Sequence, residues 1–177
     1  MDYKIIKNFI SNEEQNDLIR WIMNNKNNPE LFKDANMKGN RITTRYSQGF
    51  SFSDIAYRIQ KRIIDQLKFK DFKLPKYQHG IVASYAGEND TVFNHFDPQW
   101  HPPYEILHCN LMLQKPLKGG KPIIDKETID LDEKDLWCYY VSKVEHGSSK
   151  IIGKKPRLIY VFGFCINFIE LENFNVV

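Results

Sequence analysis

The chain has 177 residues, of which 42% are hydrophobic, so it is long enough to bury the core of one domain. Its 25 basic and 22 acidic residues give a formal net charge of only +3, which offers no electrostatic argument for nucleic-acid binding. The first residues lack a basic segment followed by an apolar one, and no run approaches 18 apolar residues, so neither a signal peptide nor a membrane span is predicted. We expect one cytoplasmic domain over residues 1–177.

The first part of the chain, to about residue 70, is predicted to be mainly helical. After the short apolar strand "YKIIKNFI", Ser11 can cap a helix and Glu14 can close a capping box. A second amphipathic helix is predicted in "SFSDIAYRIQKRIIDQLKF". Between the helices, "RITTRYSQGF" has the β-branched content of a strand, with Arg41, Thr43 and Arg45 on one face.

The second part, from about residue 77 to 170, is predicted to consist of strands separated by Gly- and Pro-rich turns. The strand candidates are "HGIVASYA", "TVFNHF", "EILHCNLMLQ", "KPIID", "DLWCYYV" and "PRLIYVFGFCINFI". Two helices followed by six or more strands indicate an α+β domain whose C-terminal half is a β-sandwich or barrel. The three cysteines lie in these apolar runs without a CxxC pair, which is typical of buried thiols in a reducing compartment.

A candidate metal site lies in the stretch "FNHFDPQWH". His95 and Asp97 are two residues apart, so on a strand they point to the same face. Two histidines and one carboxylate form the ligand set of non-haem iron(II) oxygenases. The third ligand must therefore come from one of the remaining histidines, which are His79, His101, His108 and His146.

His146 is the preferred third ligand, because the sequence after it leads to a basic residue at the start of an apolar strand. That residue is Arg157. A buried cation requires an anionic partner, and the carboxylate of a co-substrate would supply one. His101 remains an alternative ligand, although it follows Pro98 and leaves the strand, whereas His79 and His108 are interpreted as hydrogen-bonded barrel histidines.

These motifs together resemble the 2-oxoglutarate- and iron(II)-dependent oxygenases, and most closely the prolyl-4-hydroxylase-like branch. The resemblance rests on "IVASYAGENDTVFNHFD", the Gly-Gly turn in "LMLQKPLKGGKPII" and the distal histidine and arginine in "EHGSSKIIGKKPR". It implies a double-stranded β-helix, a cupin-like jelly-roll barrel, flanked by the N-terminal helices. It also implies His95, Asp97 and His146 as catalytic iron ligands, with Arg157 and Tyr85 on the distal carboxylate of 2-oxoglutarate.

The activity implied by the resemblance is that of a dioxygenase that uses O2 and 2-oxoglutarate. Such an enzyme hydroxylates an unactivated C–H bond of an amino acid, a peptide or a protein side chain, and releases succinate and CO2. Halogenating members of the wider family replace the metal carboxylate by a small residue. Asp97 is present, so hydroxylation is expected.

Candidate residues around the metal carry alternative interpretations. Asn110 can contact the C1 carboxylate of 2-oxoglutarate or make a structural hydrogen bond. Arg41 and Arg45 can bind a substrate carboxylate or form a solvated strand face. Trp100 and Tyr104, in the Pro-rich segment after the metal motif, can line the rim of the site or simply pack as a turn.

Two other functions share the predicted ligand set. A nucleic-acid dealkylase would carry a basic, aromatic-rich recognition surface, for which a charge of +3 is thin support. A non-catalytic jelly-roll module would bind metal or 2-oxoglutarate without turnover. The expected partner is a small molecule, a peptide or a protein, with neither nucleic acid nor a membrane.

Overall fold

The computed structural model of the chain describes residues 3–34, 39, 41–44, 51–76, 80–99 and 102–167. Helix α1 spans Asn12–Asn25 and begins with the predicted capping box, because Ser11 and Glu14 exchange side-chain-to-backbone hydrogen bonds. Helix α2 spans Asp54–Leu67. Within the described ranges, neither helix is long and apolar enough to cross a membrane.

Both helices lie before residue 80, and ten of the fourteen described strands, including the two longest, lie after it, in agreement with the predicted change from helical to strand texture. The strands are β1 Tyr3–Ile6, β2 Phe32–Asp34, β3 Ile42–Thr44, β4 Phe72–Lys73, β5 Ile81–Ala86, β6 Val92–His95, β7 Tyr104–Gln114, β8 Lys118–Gly119, β9 Pro122–Ile124, β10 Glu127–Thr128, β11 Leu136–Tyr140, β12 His146–Ser148, β13 Ile151–Ile152 and β14 Arg157–Asn167.

Two antiparallel sheets organise these strands. The large sheet has the order β1-β11-β7-β14-β5-β3-β2, and β4 pairs with β14. The small sheet has the order β10-β9-β12-β6, and β13 pairs with β8 separately. The predicted jelly-roll with flanking helices is confirmed.

The large sheet buries both of its faces, which explains the long apolar runs in β7 and β14. Its helix face packs against α1 and α2 through residues such as Leu111, Tyr160 and Phe162. Its inner face packs against Ile124 of the small sheet through residues such as Met112 and Ile159. Because alternate residues point to opposite faces, this division decides which side chains can reach the barrel interior.

Several predicted boundaries differ from the structure. The predicted strand "YKIIKNFI" ends at Ile6, since Asn8 has a positive φ of 49° and turns the chain. Strands β2, β4, β8, β10, β12 and β13 were not predicted, because runs of two or three residues carry too little periodicity to be recognised. The three cysteines are free and buried, as expected.

Candidate metal centre

The predicted ligands His95, Asp97 and His146 lie together in the structure. One ligand atom from each residue lies within 4.8 Å of the other two. The distance from His95 Nε2 to Asp97 Oδ1 is 3.6 Å, and the distance from His146 Nε2 to Asp97 Oδ2 is 3.8 Å. Three donor atoms at this spacing can surround one divalent ion.

Strand pairing brings the two histidines together. His95 ends β6 and His146 begins β12, and the antiparallel register places them directly opposite each other. Their ring centroids are 4.3 Å apart. Asp97 follows β6, and its backbone N–H donates to the carbonyl of Val141, which ties the ligand segment to the end of β11.

Backbone carbonyls determine which ring nitrogen of each histidine can bind a metal. Nδ1 of His95 lies 2.6 Å from the carbonyl oxygen of Phe93, and Nδ1 of His146 lies 2.9 Å from that of Val144. A carbonyl only accepts, so each Nδ1 must carry the proton and donate it. Each Nε2 then keeps its lone pair free, as a metal ligand requires. The donor set therefore fits a divalent iron.

Close packing between β6 and β12 constrains the ligand strands. A Cβ atom built on Gly147 would collide with Oδ1 of Asn94 and lie 2.8 Å from the carbonyl oxygen of Val92. Ser148 adds a further contact, since its hydroxyl accepts from the N–H of Val92 at 3.1 Å. Only a glycine at position 147 allows this approach of the two strands.

The segment after Asp97 is held by a buried carboxylate. Glu105 is 5% exposed, and it accepts hydrogen bonds from the Gln99 side chain at 3.1 Å and from the Ser142 hydroxyl. Gln99 is two residues beyond the ligand, and Ser142 follows Val141, which binds the N–H of Asp97. Glu105 thus joins the two chain segments on either side of that backbone hydrogen bond.

Arg157 lies on the inner face of the large sheet and is 4% exposed. Its Nη1 donates to the carbonyl oxygen of Gly120 at 3.0 Å, and its Nε is buried with no hydrogen-bond partner. Burial lowers the pKa of the guanidinium to about 10, and the charge of Arg41 contributes to the shift. The group remains protonated at neutral pH and presents an unused donor.

The predicted Gly-Gly turn positions the carbonyl that Arg157 contacts. Gly119 and Gly120 both have positive φ, of 73° and 65°. A Cβ at Gly119 would collide with the carbonyl oxygen of Lys150, and one at Gly120 would lie 2.7 Å from Pro116 Cγ. The turn therefore requires glycine at both positions.

Arg41 also faces this region. It precedes β3, and burial lowers the pKa of its guanidinium from the ordinary value, against a smaller raising effect of the Asp97 charge. Its Nε is buried without a hydrogen-bond partner. The predicted arrangement of Arg41 and Thr43 on one strand face agrees with the register, since Thr43 pairs with Ser84 on the inner side of β5.

Tyr139 lies near the site, although no sequence motif pointed to it. Its ring centroid lies 4.9 Å from that of His146, and its side chain shares a hydrogen bond with Asn110. Burial and the charge of Asp97 raise the pKa of its hydroxyl well above the usual value, so the hydroxyl stays protonated. The alternation in "DLWCYYV" places Trp137 and Tyr139 on one face and could have identified it.

Asn110 lies on the inner face and is 4% exposed, as predicted for a barrel-lining position. Its amide nitrogen lies 3.5 Å from the carbonyl oxygen of Trp137, in addition to its bond with Tyr139. These contacts favour a structural hydrogen bond. A contact between Asn110 and a co-substrate stays a prediction.

Tyr85 is not brought to the site, which corrects the expectation that its hydroxyl contacts the co-substrate. It packs against the helix-facing core beside Ile81 and Ala83, and Nζ of Lys26 lies 5.1 Å from its ring centroid. Arg157 pairs with Ala86, the residue after Tyr85, so the two side chains leave opposite faces of the sheet. The strand alternation accounts for the difference.

The remaining described candidates are not members of the three-residue cluster. Tyr104 begins β7, where Nζ of Lys73 lies 4.5 Å from its ring centroid. His108 lies in the middle of β7 and is not part of the three-residue cluster. The other candidates lie outside the described residues, namely Arg45, His79, Trp100 and His101.

Comparison with known proteins identifies the fold. No family model matches the sequence, and no curated protein sequence matches it. The viral collagen prolyl hydroxylase of Paramecium bursaria Chlorella virus-1, solved with 2-oxoglutarate, superposes with a TM-score of 0.68 at 15% identity, covering 93% of this chain and 96% of that one. The chain has the double-stranded β-helix fold of the prolyl hydroxylases.

Two further solved structures share this double-stranded β-helix. A Trichoplax adhaerens prolyl hydroxylase, in complex with a peptide fragment of hypoxia-inducible factor, gives a TM-score of 0.68 at 11% identity, covering 97% of this chain and 86% of that one. HygX from Streptomyces hygroscopicus, with nickel and 2-oxoglutarate bound, gives a TM-score of 0.66 at 11% identity, covering 94% of this chain and 83% of that one. Identities this low establish the shared fold alone.

Proposed function

We propose that the chain is an iron(II)- and 2-oxoglutarate-dependent dioxygenase that hydroxylates a C–H bond of an amino acid, a peptide or a protein side chain. The observation that carries the proposal is the cluster of His95, Asp97 and His146, with both Nε2 atoms free to bind a metal. The balanced reaction converts substrate, O2 and 2-oxoglutarate to hydroxylated substrate, succinate and CO2. Bound iron would supply the activation of O2, and 2-oxoglutarate would supply two electrons.

The chain's own residues would perform three tasks. His95, Asp97 and His146 hold the metal, with the two histidines oriented by backbone carbonyls. Arg157 binds the distal carboxylate of 2-oxoglutarate, because its buried guanidinium has an Nε donor without a partner.

The third task is the exclusion of water from the reacting atoms. The inner face around the site is apolar, with Met112, Ile124 and Ile159 all at most 5% exposed. Tyr139 belongs to the same apolar cluster, and its hydroxyl stays protonated, so it can donate a hydrogen bond but adds no charge. A dry interior strengthens every ion pair formed inside it.

The experiment is an anaerobic titration of metal-free protein with iron(II) and 2-oxoglutarate, monitoring the visible metal-to-ligand charge-transfer band. The wild type should develop the band. His146→Ala should lose it, and Arg157→Gln should require about tenfold or more 2-oxoglutarate, since a charge-assisted hydrogen bond is lost. His101→Ala is the matched histidine control and should behave like the wild type.

Each other outcome has a definite meaning. Loss of the band in His101→Ala but not in His146→Ala would mean that His101, and not His146, is the third metal ligand. Iron binding without any 2-oxoglutarate band would favour a metal-binding jelly-roll module. If the band forms, succinate release should then be screened with amino acids and short peptides, and stimulation by a methylated oligonucleotide instead would indicate a dealkylase.

A further inference from the structure

Arg41 and Arg157 flank one small residue on the inner face of the large sheet. Arg157 pairs with Ala86 of β5. Ile42 of β3 pairs with Tyr85, so Arg41 lies one register position further, next to Ala86 on its other side. Residues at such positions share a face, and the alanine methyl leaves room above it for two long side chains. The two guanidinium groups are close enough to interact, since the charge of Arg41 lowers the pKa of Arg157.

The two arginines differ in their partners. Arg157 donates to the carbonyl of Gly120. Across the ranges that the structure describes, Arg41 makes neither a side-chain hydrogen bond nor an ion pair, and its Nε is enclosed without an acceptor. Asp97 is the carboxylate whose charge acts on Arg41, and Asp97 belongs to the metal cluster. Among the described residues, the guanidinium of Arg41 is therefore a charged donor without an acceptor.

A charge count shows what the site lacks once it is loaded, and this step rests on the proposed function. Within the set formed by the metal, the co-substrate, Asp97, Arg157 and Arg41, iron(II) and the dianion of 2-oxoglutarate cancel, and the charges of Asp97 and Arg157 cancel as well. Asp90 also acts on Arg157, but it is half-buried and accepts a hydrogen bond from the N–H of Gly87. The charge of Arg41 remains. Arg41 is half-buried with its Nε enclosed, and a partly desolvated charge without a counter-ion is costly, so a bound substrate that brings one negative charge is favoured over a neutral one.

We propose that Arg41 binds a carboxylate of the substrate, and that the substrate is a small molecule or peptide carrying that carboxylate close to the carbon that reacts. A carboxylate matches the single positive charge that remains, and its two oxygens fit the two-pronged donor geometry of one guanidinium. The carboxylate can belong to a free acid or to a peptide, and the chemistry at Arg41 is the same for both.

The test uses the full chain loaded with manganese(II) and 2-oxoglutarate, and it measures nuclear magnetic relaxation of two matched probe pairs. One pair is propionate and propionamide, which represent a free acid. The other is N-acetyl-L-alanine and its amide, which represent a peptide terminus. The paramagnetic metal enhances relaxation only for probes bound near it. Each carboxylate should be enhanced more than its amide, and the stronger pair identifies the source.

Arg41→Gln should weaken binding of the carboxylate probes by about tenfold, as expected for loss of a charge-assisted hydrogen bond. Arg41→Lys should retain part of the binding. Arg58→Gln removes the same charge from the exposed face of α2 and should bind the probes like the wild type. The affinity for 2-oxoglutarate should stay unchanged in all three variants, which also shows that each variant is folded.

Three outcomes would overturn the assignment of Arg41. Equal enhancement of acids and amides would show no preference for charge, and equal binding in Arg41→Gln would exclude Arg41 as the binding group. A loss of 2-oxoglutarate affinity in Arg41→Gln would make Arg41 a co-substrate residue. If the wild type itself fails to bind 2-oxoglutarate with manganese, the proposed function fails first, and this distinguishes the two failures.

Discussion

Individual residues set the geometry of the metal cluster through contacts that involve no metal. The carbonyls of Phe93 and Val144 fix the proton on Nδ1 of each ligand histidine. The N–H of Asp97 is held by the carbonyl of Val141 at 2.8 Å. Ligands restrained in this way lose little conformational entropy on binding, so the site is prepared before a metal arrives.

Gly147 provides a direct test of this preparation. Gly147→Ala would force a methyl group against Asn94 and the carbonyl of Val92, so β6 and β12 must move apart beside His95 and His146. We expect the free energy of unfolding to fall by about 1–3 kcal/mol. We also expect metal affinity to fall by about tenfold, as for other changes that misplace ligands. Urea unfolding and calorimetric manganese titration measure the two effects.

Gly87→Ala is the matched control for Gly147→Ala. A Cβ on Gly87 would make only ordinary contacts, the nearest at 3.5 Å from Tyr85 Cε1. Its metal affinity should equal that of the wild type. If Gly147→Ala also binds manganese normally, the spacing of the two strands does not control the cluster.

At the scale of elements, one ion pair joins the two helices that support the large sheet. Arg62 of α2 donates to both carboxylate oxygens of Glu14 in α1, at 3.1 and 2.5 Å. This hydrogen bonding is the largest of the effects that lower the pKa of the Glu14 carboxyl, against a partial opposing effect of burial. Because Glu14 also closes the capping box of α1, one side chain fixes both the start of that helix and its contact with α2.

The lowered pKa of Glu14 makes its stabilising effect depend on pH. A carboxyl with a depressed folded pKa stabilises the fold above its unfolded pKa of about 4.3, and the effect disappears as the pH falls through the folded value. Glu14→Gln should therefore lower the free energy of unfolding by about 0.5–1 kcal/mol at pH 7, a range that reflects the partial exposure of Arg62. The difference from the wild type should vanish at strongly acidic pH.

Urea unfolding across the pH range measures this effect, with Glu13→Gln as the control. Glu13 lies in the same first turn and is exposed, so its variant should show little pH-dependent difference. If the difference in unfolding free energy between Glu14→Gln and the wild type persists unchanged at strongly acidic pH, packing and not charge is responsible.

At the scale of the whole molecule, the metal cluster joins two parts of the chain that are distant in sequence. His95 belongs to β6 and His146 to β12, and the segment between them includes β7 and β11 of the large sheet. The cluster can therefore form only after the intervening strands have taken their places. A metal that binds only this folded arrangement must stabilise the entire fold.

Manganese at a hundredfold excess over its dissociation constant should stabilise the protein by about 2.7 kcal/mol. For a chain of this size, the melting temperature should rise by about 5–10 °C. A chelator should reverse the shift, and His146→Ala should show none. Differential scanning calorimetry measures it, and an equal shift in the variant would place the bound metal elsewhere.

Much of this fold was predictable because its signals are local or periodic. The capping box of Ser11 and Glu14 and the long apolar strands β7 and β14 were recognised from the sequence. The three predicted metal ligands do lie together in space. The spacing of His95 and Asp97 is local, whereas His146 required the resemblance to a family, since its three-residue strand carries no periodic signal.

The errors concern the faces of strands. Tyr85 was assigned by its position in a motif, but the pairing of β5 with β14 directs it to the helix side. Tyr139 was overlooked although its strand is periodic, because nothing in the sequence alone says which face of β11 meets the metal ligands. Register between strands is a property of the assembled sheet, so such assignments need the structure.

The predicted metal ligands and the two arginines are held by different sheets. The cluster is built on and beside the small sheet, whereas Arg157 and Arg41 project from the large sheet and its margin. The gap between the sheets is packed with apolar side chains and cannot stretch. In the proposed enzyme this gap fixes the distance between the metal and Arg157, because a keto acid that chelates the metal must also reach Arg157. The thickness of the barrel would thereby select a co-substrate by the length of its carbon chain.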